Sequence, residues 1–347
     1  MQGILERVFR KEAQVLVTLK SDGIPWNLNP VPSRIFAVGD VHGDIAGLAC
    51  ILRDRELIDK KGRWTGGDAH VVLNGDLVGG KNARLLLQFV LRIQTEAMEA
   101  GGALHPLLGN HDIQVFFKEC QKRKGKTLFK KYRVNGAKKK TIRDAFLGNT
   151  DLAGWVRTRN AVIQIGPTIF THAGLNTWAY KHNPGRINST IRSWIRFWQG
   201  IDVQPDPRTK WAVLGPLVDW TPPSTGPLWT RSYEVKKKSG KKMQHTPEAH
   251  PPSAEELSKI LKKYKAARMV IGHTPVSKNK ISLSHPLYGK KVVMIDSRIS
   301  QKKGGSLSCV EINGSEITAH YAKRHSAGKK IADLEMKKLK KKNGKNT

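Results

Sequence analysis

The chain is short of cysteine and of acid. Of 347 residues only three are cysteine, Cys50, Cys120 and Cys309, and no two are spaced as C-x-x-C. That excludes a disulfide framework and a zinc finger, and it fits thiols held reduced. No apolar run approaches the about 18 residues that a membrane span needs. The N-terminus lacks the apolar core and small-residue cleavage site of a secretory signal. Residues 1–20 are amphipathic and basic, as an import segment would be, but Glu6 and Glu12 count against that. An intracellular place, cytoplasmic or nuclear, is expected, with organelle import as the alternative. Acidic residues number 28 against 61 Lys and Arg, a net charge of +33. Residues 118–140 hold eleven basic residues and one acid, and residues 323–347 hold ten and two. A field of this sign attracts nucleic acid, phosphoprotein or anionic membrane. Hydrophobic residues at 39% are enough for a sizeable core.

What the chain does have is centred on Phe36-Ala37-Val38-Gly39-Asp40-Val41-His42-Gly43-Asp44. It reads as a buried strand ending in a tight turn. Asp40 and His42 are two apart, so both side chains can converge on one ion. Ile45, Leu48, Ala49 and Leu52 share one face of a following helix. Strand, ligand-bearing turn and helix is how α/β proteins place chemistry at strand ends.

The pattern recurs. A strand over 69–73 ends at Asn74-Gly75-Asp76, and a helix over about 82–100 follows. A third strand, 103–108, ends at Gly109-Asn110-His111-Asp112. Residues 162–165 and 168–171 predict a hairpin that delivers His172. Ile191, Trp194, Ile195 and Trp198 fall at helical spacing and read as core. Ser253-Ala-Glu-Glu256 predicts a capped helix. A strand over 268–271 ends at Gly272-His273-Thr274, and residues 291–295 predict another. Asn313-Gly314 between apolar runs predicts a two-residue hairpin. Residues 331–339 carry a helical pattern. The expected organisation is an N-terminal extension (1–33), one α/β domain (34–321) with basic insertions at 118–140 and 236–252, and a Lys-rich C-terminal tail (322–347).

In order, then, the chain presents Asp40, His42, Asp76, Asn110, His111, His172 and His273, each at a strand end. Oxygen and imidazole donors together suit Mn, Fe or Zn. Two such ions about 3.5–4 Å apart can share a carboxylate and activate water against phosphorus, with Asp76 the natural bridge. The remaining eight histidines, among them His70, His105, His285 and His320, show no convergent partner and read as structural or exposed.

This ordered set resembles the calcineurin-like metallophosphoesterase superfamily over roughly residues 34–321. The resemblance implies two mixed sheets packed as a sandwich and flanked by helices. It implies Asp40, His42 and Asp76 at a first divalent metal, and Asp76, Asn110, His172 and His273 at a second. His111 would protonate the leaving oxygen, and a bridging hydroxide would attack a phosphomonoester. Pro275 stands where many phosphodiesterase members carry a second histidine. Gly226-Pro-Leu-Trp-Thr-Arg231, Val270-Ile-Gly-His273-Thr-Pro275, and Ile295-Asp-Ser297 with Gly304-Gly305 resemble the Shewanella-like PPP phosphatases. That places Arg231 on the substrate phosphate, where a planar guanidinium fork fits.

The chain departs from that branch after the bridge. Gly79 and Gly80 replace an Asp-Arg pair, and Asp112 replaces a Glu. Without that Asp, the His111 cation should be less stabilised and its pKa lower, leaving it the poorer proton donor to a high-pKa alkoxide and favouring aryl esters or polyphosphates over phosphoserine. Asp at position 79 and Arg at 80 should restore phosphoserine hydrolysis, provided both backbones accept a Cβ. The alternatives are a phosphodiesterase or nucleotide polyphosphate hydrolase, and a nucleic-acid or ribonucleoprotein-binding protein on a degenerate phosphatase scaffold.

Overall fold

A computed structural model describes residues 25–79, 82–114, 151–177, 182–199, 201–212, 226–234, 251–300 and 304–343. The basic arm at 118–140, most of the one at 236–252, residues 1–24 and Cys120 lie outside them.

Among the described residues, ten strands form two five-stranded sheets. Ile35–Val38 (β2), His70–Leu73 (β3) and Ala103–Pro106 (β4) run parallel. Leu307–Asn313 (β9) adds antiparallel to β2, and Glu316–Ala322 (β10) to β9. The second sheet starts from Asn27–Leu28 (β1), parallel to Val162–Ile165 (β5), which forms a hairpin with Thr168–Thr171 (β6). Arg268–Ile271 (β7) and Val292–Met294 (β8) complete it in parallel. This is the expected pair of mixed sheets flanked by helices.

Alternation explains the layering. Ile35 and Ala37 of β2, with Val72 and Val310 of the same sheet, face Ile163, Phe170 and Val270 of the other and close a core between the sheets. Phe36 and Val38 face outward beneath the helices Ile45–Asp54 (α1) and Ala83–Glu99 (α2). A strand buried on both faces needs a run as apolar as Ile-Phe-Ala-Val. The helices Asp151–Thr158 (α3), Pro184–Trp198 (α4) and Ala254–Lys263 (α5) complete the middle of the chain. Trp194 and Trp198 are buried in α4, as core residues. Ser253 and Glu256 make the expected capping box at α5.

Two local readings shift. β9 and β10 pair Asn313 with Glu316, so the loop residues are Gly314 and Ser315, one position later than Asn-Gly implied. Gly314 carries the positive φ (58°) that the first loop position of a type II′ turn requires. The helix expected over 331–339 spans Ser326–Asn343 (α6). Ile331 is fully buried against the core, and Glu335 pairs with Arg92 of α2 at 2.9 Å. The Lys-rich segment therefore includes a docked helix.

Some histidines without an expected partner do have one. His320 lies 2.9 Å from Glu311. His105 Nε2 and His70 Nδ1 are 3.2 Å apart. Their strands are neighbours and parallel, so this follows from register rather than sequence spacing. Burial, then the nearby His70, pushes the His105 pKa down from 6.5 to about 3. A group that is neutral when folded takes up a proton on unfolding below pH 6.5. His105 therefore leaves stability unaffected above 6.5 and lowers it as pH falls from 6.5 toward about 3. Urea unfolding at pH 7.5, 6 and 5 should show a shallower acid loss for His105→Leu than for wild type. Parallel slopes would exclude this pair as a source of acid lability.

Candidate metal centre

Each predicted ligand lies just beyond a strand. Asp40 and His42 follow β2, Asp76 follows β3, and Asn110 follows β4. His172 and His273 follow β6 and β7 of the facing sheet. The site thus sits where the ends of both sheets meet. His42, Asp76 and His273 have φ of 48°, 50° and 61°. Left-handed backbone is uncommon outside glycine and collects at functional sites. Neighbouring turns hold it: His42 N donates to Asp76 O at 2.9 Å, and Gly43 N to Leu77 O at 2.9 Å. At Gly109 a Cβ would run into the Asp76 carboxylate and backbone N, so glycine is what admits that carboxylate.

Asp40 and Asp76 are buried, at 2% and 1% exposure, so bulk solvent screens them little. Asp76 faces two ways. Its Oδ2 is 3.8 Å from His42 Nε2 and 3.8 Å from His111 Nε2. Its Oδ1 is 3.4 Å from His172 Nε2 and accepts from His111 N at 2.8 Å. Asp40 Oδ2 is 3.8 Å from His42 Nε2, and Asp40 Oδ1 accepts from His273 N at 3.0 Å. Ligand atoms of His42, Asp76 and His111 fall within 4.8 Å of one another, and so do those of Asp40, Asp76 and His172.

The orientation of the imidazoles bears on whether they suit a metal. His42 Nδ1 lies 3.2 Å from Val78 O, His172 Nδ1 2.9 Å from Asn74 O, and His273 Nε2 3.1 Å from Trp229 O. A carbonyl only accepts, so each of these nitrogens carries the proton. In His172 the lone pair on Nε2 then faces Asn110 Oδ1 at 2.9 Å and Asp76 Oδ1, two acceptors. A cation between them would satisfy all three. A histidine anchored through its far nitrogen by a carbonyl is the usual outer arrangement of a metal site. The residues present therefore fit divalent ions of the Mn, Fe or Zn kind.

His273 stands slightly apart. It joins neither three-residue group, although its ring is 4.9 Å from that of His172. Burial first, then His172 and Arg231, hold its pKa well below the ordinary histidine value, so it stays neutral. Arg231 is exposed at the rim and donates to His273 O at 3.1 Å. Its segment is braced by His285, 3.1 Å from Tyr233 O.

Asp112, the substituted Glu position, is fully buried. It accepts from Val78 N at 3.1 Å and Gly109 N at 2.9 Å and pairs with Arg159 at 2.9 Å. It ties the turn after Asp76 to the turn that carries Asn110. Gly79 has φ +129°, and a Cβ there would lie 2.7 Å from His42 Nδ1. A side chain at position 79 would therefore be strained and would crowd His42, against the expectation that restoring the Asp would help. Gly80 lies outside the described residues. Sequence reading missed Arg159, Asn74 and the carbonyls of Val78 and Trp229. Carbonyls leave no trace in sequence, and a lone arginine between a helix and a strand has no distinguishing neighbour.

A family model described as calcineurin-like phosphoesterase matches residues 33–277. The chain belongs to this family. Among curated relatives, this calcineurin-like phosphoesterase is 29% identical over 210 residues to Shewanella-like protein phosphatase 2 of Arabidopsis thaliana, covering 49% of this chain and 53% of that one. It is 26% identical over 271 residues to Shewanella-like protein phosphatase 1 of Plasmodium berghei, covering 74% and 63%. The chain thus spans between about half and two thirds of the length of these relatives. A cold-active protein-tyrosine phosphatase of a psychrophilic Shewanella species superposes with a TM-score of 0.62 at 22% identity, over 88% of this chain and 84% of that one. A protein serine/threonine phosphatase from Saccharomyces cerevisiae gives 0.55 at 12%, over 92% and 89%. These likenesses establish the shared fold. Among the described residues no helix is long and apolar enough to cross a membrane.

Proposed function

We propose that this phosphoesterase hydrolyses phosphomonoesters with two divalent ions, as a PPP-like phosphatase. The observation that carries the reading is the Asp76 carboxylate, with one oxygen toward His42 and the other toward His172. Asp40, His42 and Asp76 would hold the first ion. Asp76, Asn110, His172 and His273 would hold the second. When bound, the ions supply positive charge for the phosphoryl oxygens and a water acidic enough to act near neutral pH. The chain's own residues do the rest. Arg231, at the rim, meets the dianionic phosphate with a fork-shaped donor set. His111, whose Nε2 lies beside Asp76 Oδ2, offers a proton to the leaving oxygen. Asp112 and Arg159 keep the two ligand-bearing turns in register.

The test is metal-free protein reloaded with Mn²⁺ and given an aryl phosphate, a phosphoserine peptide, a phosphotyrosine peptide, an aryl phosphodiester and a dinucleotide polyphosphate. Hydrolysis of monoesters, lost with chelator and restored by Mn²⁺, is expected. Turnover confined to the diester or polyphosphate would move the assignment to the alternative hydrolases.

A polyanionic partner has separate support. On α6 the side chains of Lys329, Lys330 and Lys337 are exposed while Ile331 and Glu335 are buried. Lys60 and Lys61 lie next to Gly62, whose carbonyl Arg92 ties to Glu335. The apolar stripe of the helix is mostly occupied, and Leu334 at 39% exposure is the large apolar side chain it still shows. One leucine is too little apolar area for lipid insertion, and phosphate backbones fit the exposed lysines better. Duplex DNA binding should weaken about 0.9 decade per decade of salt for each phosphate neutralised. The pair Lys330→Glu and Lys337→Glu should cut both the affinity and that slope. Binding unchanged in that variant would remove α6 from the interface.

A further inference from the structure

Asn74 sits two residues before Asp76 and is fully buried. Its backbone N donates to Val38 O at 2.9 Å, which continues the β2–β3 ladder. Its backbone O accepts from His172 Nδ1 at 2.9 Å. Its side chain crosses to the other sheet. Nδ2 donates to Thr171 O at 2.9 Å and to Val270 O at 3.3 Å. Thr171 directly precedes His172, and Val270 lies three residues before His273. One amide therefore links the strand that leads to Asp76 with both strands that deliver the second-site histidines.

The arrangement carries a cost. Asn74 Oδ1 and the neighbouring Thr171 Oγ1 are buried without a hydrogen-bond partner among the described residues. Each such atom loses its hydration without a bond in return. A leucine of similar size would avoid the first of these, so what the amide contributes is its two donors. Apolar burial between sheets is non-directional and tolerates sliding. Ligand atoms around an ion must be placed within about 0.2 Å. Directional bonds between the sheets, right behind the ligands, supply what the apolar core does not.

We propose that Asn74 is a positioning residue for the second metal site, its side-chain amide holding the two sheets at the spacing that lets Asp76, Asn110, His172 and His273 share one divalent ion. This rests on the two-ion reading above. The consequence is a selective loss. Without the amide, Asp40 and His42 keep their turn on β2, while His172 and His273 can drift from Asp76.

The experiment titrates Mn²⁺ calorimetrically into metal-free wild type, Asn74→Leu and Val310→Ala. The last removes packing from the same inter-sheet core away from the second-site ligands. Wild type should take up two equivalents. Asn74→Leu should bind the second about 10- to 100-fold more weakly and leave the first unchanged. Val310→Ala should lose melting temperature yet keep both affinities. If Asn74→Leu fails to fold, Asn74→Ala is titrated in its place with the same expectation. Wild-type affinity for both equivalents in the Asn74 variant overturns the positioning role. An equal loss in Val310→Ala also overturns it, since sheet packing in general would then be responsible. A single equivalent in wild type removes the two-ion reading itself, a result distinct from either.

Discussion

Asp76→Asn is expected to abolish turnover, by at least about three orders of magnitude, while leaving the fold intact. The carboxylate offers one oxygen to the His42 side and one to the His172 side, so a single substitution would remove a charged ligand from both proposed sites. The amide has nearly the same shape and still accepts through one oxygen. Its NH₂ can donate to an imidazole lone pair, which closes the gap without an ion. It also relieves the buried charge that Asp76 adds to that of Asp40. Metal-free Asp76→Asn should therefore melt at or above the metal-free wild type. Wild type should gain stability with Mn²⁺ by mass action, and the variant should not respond. Elemental analysis should find fewer than two ions per chain. Two tightly held ions with unchanged turnover would sink the dinuclear assignment.

Much of this site was legible because its chemistry is local. Asp40 with His42, and Asn110 with His111, each arrive as a short run after an apolar strand. Glycines beside them mark where backbone or carboxylate approaches closely. The strand spans 162–165, 168–171 and 268–271 match because each is a short apolar run with sharp boundaries. What was not legible depends on register or on backbone. The His70–His105 pair exists because β3 and β4 align in parallel, and single-strand patterns carry no such information. The docking of α6 was obscured by lysine. Its buried stripe is narrow, with Ile331 and Glu335 inside, and Glu335 is tolerated there only because Arg92 and Lys338 meet it. The Asp-Arg departure was visible as two glycines. Its structural meaning was not, since a φ of +129° cannot be read from the letter G.

That angle governs the second large effect: Gly79→Asp should lower activity, at least about tenfold, rather than restore a phosphoserine phosphatase. Non-glycine residues in this part of φ space cost about 1–3 kcal/mol. The added Cβ would sit 2.7 Å from His42 Nδ1, closer than real Cβ contacts come. That nitrogen is the one anchored on Val78 O. Pushing it aside turns the ring and moves Nε2 away from Asp40 and Asp76, so the proposed first metal site would lose its imidazole. Gly79→Ala isolates the steric part, because it brings the same Cβ without a carboxylate. Both variants should lose affinity for the first equivalent of Mn²⁺ by similar factors and should melt lower than wild type. Phosphoserine and aryl phosphate turnover should fall together, because the damage is to the metal site rather than to leaving-group protonation. If Gly79→Asp instead raises phosphoserine turnover while Gly79→Ala lowers it, the turn has re-formed around the carboxylate. Position 79 is then open to the acid after all, and the steric account of its glycine is wrong.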